Sequence, residues 1–271
     1  MSFTRKLSKL SRAISLLIQK PTLLNVLLDQ EEIHQEHVIK QFNLPDGLPE
    51  IPFEVLCENA DLKVSPFAFL DGGSLPTDLS LLRQLALRIH ASSYFEIGTW
   101  RGESVANVAE VVQECHTLNL SAEEMRSRGW DEKYIQLHGF FSKNNDRVKH
   151  LEGDSRTFDF KPYEQKQNLV FVDGDHHFDS VVKDTQTAFR LINGRSGAIV
   201  WHDYGHSPET VRWNVLHGIL KGTPPEERGN LYAVSNTLCA VWLPEKIASR
   251  KRVNPQVPEI WFSLQLNQHK R

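Results

Sequence analysis

From Tyr94 onward the chain alternates short apolar runs with amphipathic ones at the spacing of strand–helix–strand units. "YFEIG" reads as a strand and "ESVANVAEVVQE" as a helix; "HTLNL", "VKHLEGD", "NLVFVDGD" and "GAIVWHDY" read as further strands. Between the last two, "FDSVVKDTQTAFRLING" is a helix that offers Val181, Val182, Ala188 and Leu191 for packing, and "SPETVRWNVLHGILKG" is another, ending at Gly222. Strands joined by crossovers of helical length lie parallel, in a sheet covered on both faces. The final runs, "LYAVSN" and "LCAVWLP", leave no room for a crossover, so they form an antiparallel hairpin. The expected fold class is α/β, a mostly parallel sheet closed by a C-terminal antiparallel hairpin.

The first 74 residues read as a helical and loop extension, with the α/β domain spanning 75–271. Phe3, Leu7, Leu10, Ile14 and Leu17 recur at helical spacing, Arg5, Lys6, Lys9 and Arg12 take other faces, and no acid precedes Asp29. Such a helix docks on its own domain or a sister subunit, or lies on an anionic membrane through residues 3–20. Residues 41–76 are punctuated by proline and glycine and read as loop, either linker or one wall of a pocket. Thr77 or Asp78 can cap the helix that follows, whose apolar side includes Leu82, Leu85 and Ile89. The stretch 121–147 is long for a simple connection and holds one or two helices.

Composition excludes several classes. A formal net charge of -3 gives no bulk electrostatic support to a nucleic-acid partner. Cys57, Cys115 and Cys239 are odd in number and far apart, which points away from a disulfide framework or zinc knuckle and towards a reducing, cytoplasmic setting. No apolar run reaches the ~18 residues of a membrane span, and the first residues lack the pattern of a secretory signal.

Chemistry concentrates where strands end. "LVFVDGDHH" releases Asp173, Asp175, His176 and His177, and "AIVWHDYGH" releases His202, Asp203 and His206. If the two strands are neighbours, about 4.8 Å apart, their tips converge on one divalent ion. Carboxylates favour Mg²⁺, Ca²⁺ or Mn²⁺, and an added imidazole admits Mn²⁺, Fe²⁺ or Zn²⁺. Asp173 and Asp203 are the expected ligands, with His202 as a third, and a turn at Gly174 lets His176 point inward as a base. Asp175 and Asp179 suit helix caps, His177 a cap or surface position, His206 the start of a loop, and Asp184 a solvated helix face.

"FEIGTWRGES" turns from strand to helix with Gly98 and Gly102, and lacks both phosphate-binding patterns. Glycine there lets backbone approach a ligand, and Glu96 can position an ammonium group, so the turn suits the amino-acid end of a ligand. Past "LEGDSRTF", Asp154 and Ser155 can bond the edge of an adenine ring.

Over roughly Leu75 to Pro244, these motifs together resemble a class I S-adenosylmethionine-dependent methyltransferase, in particular the small-molecule and sugar O-methyltransferase-like family with D-G-x-H and H-D-Y segments. The resemblance implies a Rossmann-like methyltransferase sheet. It implies that Glu96, Gly98, Thr99, Gly102 and Ser104 hold the methionine part, Asp154 and Ser155 the adenine, and Asp173 part of the donor and the ion. The family's catalytic histidine lies three residues after the first aspartate, where His176 stands; His202 stands where relatives often have glutamate. The family's acid for the ribose hydroxyls is replaced in "HTLNLS" by Asn119. The expected reaction is O-methylation of a small molecule or saccharide, assisted by Mg²⁺ or Mn²⁺. The alternatives are metal-independent transfer using a histidine base, a non-catalytic binding module, and a metal-dependent hydrolase; a homo-oligomer is left open.

Overall fold

A computed structural model describes residues 3–21, 23–24, 30–58 and 62–270. An eight-stranded sheet contains β1 (Glu50–Ile51), β2 (Ser93–Ile97), β3 (Glu114–Asn119), β4 (Val148–Glu152), β5 (Leu169–Val172), β6 (Ala198–Trp201), β9 (Leu231–Val234) and β10 (Ala240–Trp242), in the spatial order β1-β9-β10-β6-β5-β2-β3-β4. The central strands β6, β5, β2, β3 and β4 run parallel, and β10 pairs antiparallel with both β6 and β9. This is the expected Rossmann-like, mostly parallel sheet with its C-terminal antiparallel hairpin.

Burial follows strand periodicity. Tyr94, Leu169, Phe171, Ala198 and Val200 point to one core, and Phe95, Ile97, Val170, Val172, Ile199 and Trp201 to the other. The first core is covered by α3 (Phe53–Leu56), α4 (Pro76–Arg88) and α5 (Glu103–Val108), and the second by α8 (Phe178–Leu191) and α9 (Trp213–Gly222), numbering α1 as Phe3–Gln19, α2 as Glu31–Phe42, α6 as Ala122–Ser127 and α7 as Glu132–Ile135. Burying each large apolar side chain contributes about 1.5–3 kcal/mol, so two-sided burial fixes the register of these strands.

Some elements differ from expectation. The helix expected over 103–114 stops at Val108, and β3 begins at Glu114. The helix expected from Ser207 begins at Trp213; before it, Gly205–Ser207 (β7) and Thr210–Val211 (β8) pair as a small antiparallel ladder. Pro208 and the β-branched Thr210 and Val211 suit that ladder better than a helical turn. The N-terminal extension is built into the domain: β1 pairs in parallel with β9, and buried His34 and Val38 of α2 lie against α9 and its neighbours. The later part of the N-terminal segment, residues 25–29, lies outside the described residues.

From β2 the chain steps outward through β3 and β4, then returns to β5 and β6 on the other side. The order therefore reverses between β2 and β5, and loops leaving these neighbours turn apart to open a crevice at their carboxyl ends.

Candidate active site

The crevice is a cleft of about 980 Å³. The ends of β2, β3, β4, β5 and β6 all contribute to it, through Gly98 to Arg101, Asn119, Asp154 to Arg156, Asp173 to His176, and His202 with Asp203. Asp71 to Gly73, from the loop before α4, close one side. Trp130, Tyr134 and His138, from the 121–147 insert, close another. Trp100 stacks on Tyr134 at a centroid distance of 4.2 Å and meets His138 at 4.9 Å, which ties the insert to the β2–α5 turn.

β5 and β6 are neighbours in register, with Val172 opposite Trp201, and the His202 N–H donates to Val172 O at 3.0 Å. Alternation carried one step past β6 turns His202 to the face of Val200, over α4. There its Nε2 lies 3.2 Å from Asp78 Oδ2. Asp78 is fully buried and also accepts from the N–H groups of Leu75 at 2.6 Å and Leu238 at 2.8 Å. The other ring nitrogen of His202, Nδ1, lies 3.2 Å from Asp173 and 3.3 Å from Asp203, without hydrogen-bond alignment. Burial lowers the His202 pKa, but the negative charge of Asp173, the neighbouring Asp203 carboxylate and the bond to Asp78 outweigh it, so the pKa stands well above the ordinary imidazole value.

Asp203 takes the left-handed conformation, φ 54°, which aspartate tolerates better than most residues. Its Oδ2 lies 3.0 Å from His176 Nε2, and Arg212 lies 3.6 Å from Oδ1. Burial raises the Asp203 pKa, but the bond from His176 and the His202 ring beside it hold it far below the ordinary range. His176 is raised: burial lowers it, and the bond to Asp203 together with the charges of Asp203 and Asp173 prevails.

Asp173, His176 and Asp203 can each turn one ligand atom to a common point, with those atoms within 4.8 Å of one another. Two carboxylates and an imidazole at a cleft wall fit a divalent ion such as Mn²⁺ or Mg²⁺. His176, expected as a base, stands in this cluster, while His202, expected as a third ligand, lines the cleft with both ring nitrogens against carboxylates. α4 sets Asp78 under His202.

The glycine turn also differs in detail. Gly98 has φ 101°, and a Cβ there would lie 2.0 Å from Asp173 O. Its missing side chain lets β2 and β5 close on each other. Gly102, φ 79°, likewise makes room for Ser142, which a Cβ would meet at 2.2 Å. Glu96 is fully buried behind the cleft wall, accepting from Tyr94 at 2.6 Å and Thr117 at 2.8 Å and bonded to Ser104. Burial raises its pKa to about 7, against the lowering by those bonds. Glu96, Gly102 and Ser104 therefore support the turn from behind, while Gly98 and Thr99 reach the cleft.

Asp154 is not a free acceptor. Arg156 reaches it at 2.6 Å and Arg128 at 2.9 Å, and the bonds to Arg156 hold its pKa far below the ordinary carboxylate range. Ser155 bonds to Asp184, which is buried inside α8 instead of solvated and is raised to about 6 by burial. Asn119 lines the cleft. Asp175 accepts from Ser180 at 2.7 Å and from the His177 N–H at 3.3 Å, as expected of a cap, and His177 is the N-cap residue of α8. His206, expected at the start of a loop, lies within β7 and bonds to Glu31 of α2 at 3.0 Å.

Sequence reading missed Asp78 as a site residue, the Trp100–Tyr134–His138 stack and the Arg128–Asp154–Arg156 cluster. The position of Asp78 in a first helical turn signalled only a cap.

Residues 95–204 match the family model described as a methyltransferase domain. No curated protein matches the chain. Among solved structures, the chain is similar to the SAH-bound methyltransferase PaMTH1 of Podospora anserina, with 21% identity, 67% of this chain and 84% of that one covered, and a TM-score of 0.46. It is similar to cofactor-bound Rv0187 from MTB, with 20% identity, coverage of 68% and 85%, and a TM-score of 0.42. A third is the O-methyltransferase from Bacillus cereus in complex with SAH, with 16% identity, coverage of 78% and 90%, and a TM-score of 0.42. At these values the likenesses carry no residue roles to this chain.

Proposed function

We propose that the chain transfers the methyl group of S-adenosylmethionine to a hydroxyl oxygen of a small molecule or saccharide, with a divalent ion held by Asp173, His176 and Asp203. The convergence of these three side chains on the cleft carries the reading. Such an ion, Mg²⁺ or Mn²⁺, supplies Lewis acidity that lowers the pKa of a bound hydroxyl. Every other contribution comes from the chain. His202 presses its ring against Asp173 and Asp203 and keeps two like charges side by side, and Asp78 fixes that ring from behind. Thr99 and the backbone at Gly98 offer the methionine end its polar contacts, and Asn119 offers a ribose hydroxyl an amide. The walls from Trp100 and Tyr134 hold the reactants in line and limit water, which favours displacement at the methyl carbon. The O–CH₃ bond forms as the S–CH₃ bond breaks, and the hydroxyl proton leaves to a base.

A second reading is favoured by the 3.0 Å contact between His176 Nε2 and Asp203 Oδ2. An imidazole oriented by a carboxylate can take the hydroxyl proton itself, without an ion.

Incubating the protein with S-adenosylmethionine, Mn²⁺ and a panel of vicinal diols, catechols and sugars, and following S-adenosylhomocysteine, tests both. The first reading predicts turnover abolished by chelator and by the D173A/D203A double variant. Turnover that resists chelator supports the second, and turnover that survives the double variant sinks the first.

A further inference from the structure

We infer that α1 is a docking helix for an anionic phospholipid surface. At about 100° per residue, Leu7, Leu10, Ile14, Leu17 and Ile18 fall within one arc of roughly 100°. Leu7, Leu10 and Ile14 are exposed by 51%, 58% and 48%, and Ile18 by 75%. Arg5, Lys9 and Arg12 are exposed on the opposite side, with Leu16 among them; Lys6 borders the apolar arc on one flank, and the hydroxyl side chains Ser8, Ser11 and Ser15 lie between the two sides on the other. The first acid of the chain is Asp29.

An isolated helix of 17 residues is marginal in water, and its stability comes from whatever covers its apolar face. Charge selects the occupant. A second copy of α1 would cover the apolar arc but leave the cationic sides of both helices unpaired, since neither contains an acid. A surface of phosphate headgroups over acyl chains satisfies both faces at once: apolar side chains enter the boundary, and lysine and arginine reach the phosphates. No helix among the described residues is long and apolar enough to cross a membrane, so α1 lies along the surface. The inference is independent of the acceptor and of the metal.

Flotation of the full chain with vesicles of phosphatidylcholine alone, or of phosphatidylcholine with phosphatidylglycerol, tests it. The chain binds the anionic vesicles at least about tenfold more tightly, and the preference falls as salt rises. L10E/I14E abolishes binding, and K6Q/K9Q/R12Q erases the preference, while both keep the wild-type melting temperature. Equal partition between the two vesicle types, or binding that survives L10E/I14E, overturns the inference. So does a dimer that L10E/I14E dissolves, in a chain that ignores vesicles.

Discussion

Asp78 and His202 lie 124 residues apart and form the buried contact on which the site's geometry turns. Asp78→Ala leaves the His202 ring and the Leu75 and Leu238 amides without their acceptor, a loss of about 3–5 kcal/mol. Urea unfolding checks that value, and Asp78→Asn, which keeps the shape, should lose turnover more than stability. Nothing local in "PTDLSLL" announces this contact, because the partner is supplied by a strand far along the chain. Asp173, His176, His202 and Asp203 were legible because acids and imidazoles gathered at strand ends have no packing use. Their contacts were not, since these depend on what lies beneath them. Glu96 makes a pH prediction. Its pKa is raised from 4.5 to about 7 by folding. The native state therefore holds a proton that the unfolded state has released, and stability falls as pH rises between those values. The full effect is roughly 3 kcal/mol. The melting temperature should drop from pH 5 to pH 8 more in the wild type than in Glu96→Gln; parallel profiles would contradict the account.

The strands and their order of appearance could be read from period and crossover length, because two-sided burial leaves nearly continuous apolar runs. The β7–β8 ladder and the late start of α9 were hidden, since short elements carry too few residues for a period to register. Gly98 shows the same limit: the sequence marks a turn, and the structure shows that the turn must clear the β5 backbone. Gly98→Ala would place a Cβ 2.0 Å from Asp173 O in a left-handed backbone, at a cost of more than about 2 kcal/mol. The expected result is a lowered melting temperature together with loss of S-adenosylhomocysteine binding by calorimetry. An unchanged melting temperature would mean that β2 and β5 are not so close.

Across the whole molecule the cleft is a joint product of five strand ends, the loop before α4 and the 121–147 insert. The insert's role was unreadable because its aromatic residues, Trp130, Tyr134 and His138, gain meaning only through Trp100 on another segment. Tyr134→Ala removes the ring on which Trp100 stacks, and the expected outcome is weaker S-adenosylhomocysteine binding by about tenfold, in line with a lost aromatic pair and its packing. The central claim is that donor and ion meet in this cleft. Its most direct test is a crystal structure grown with S-adenosylhomocysteine and Mn²⁺, with anomalous data at the manganese edge. The account predicts a manganese peak ligated by Asp173, His176 and Asp203, with the nucleoside lying against Asn119. A cleft that holds the nucleoside but shows no peak at those three side chains would contradict it.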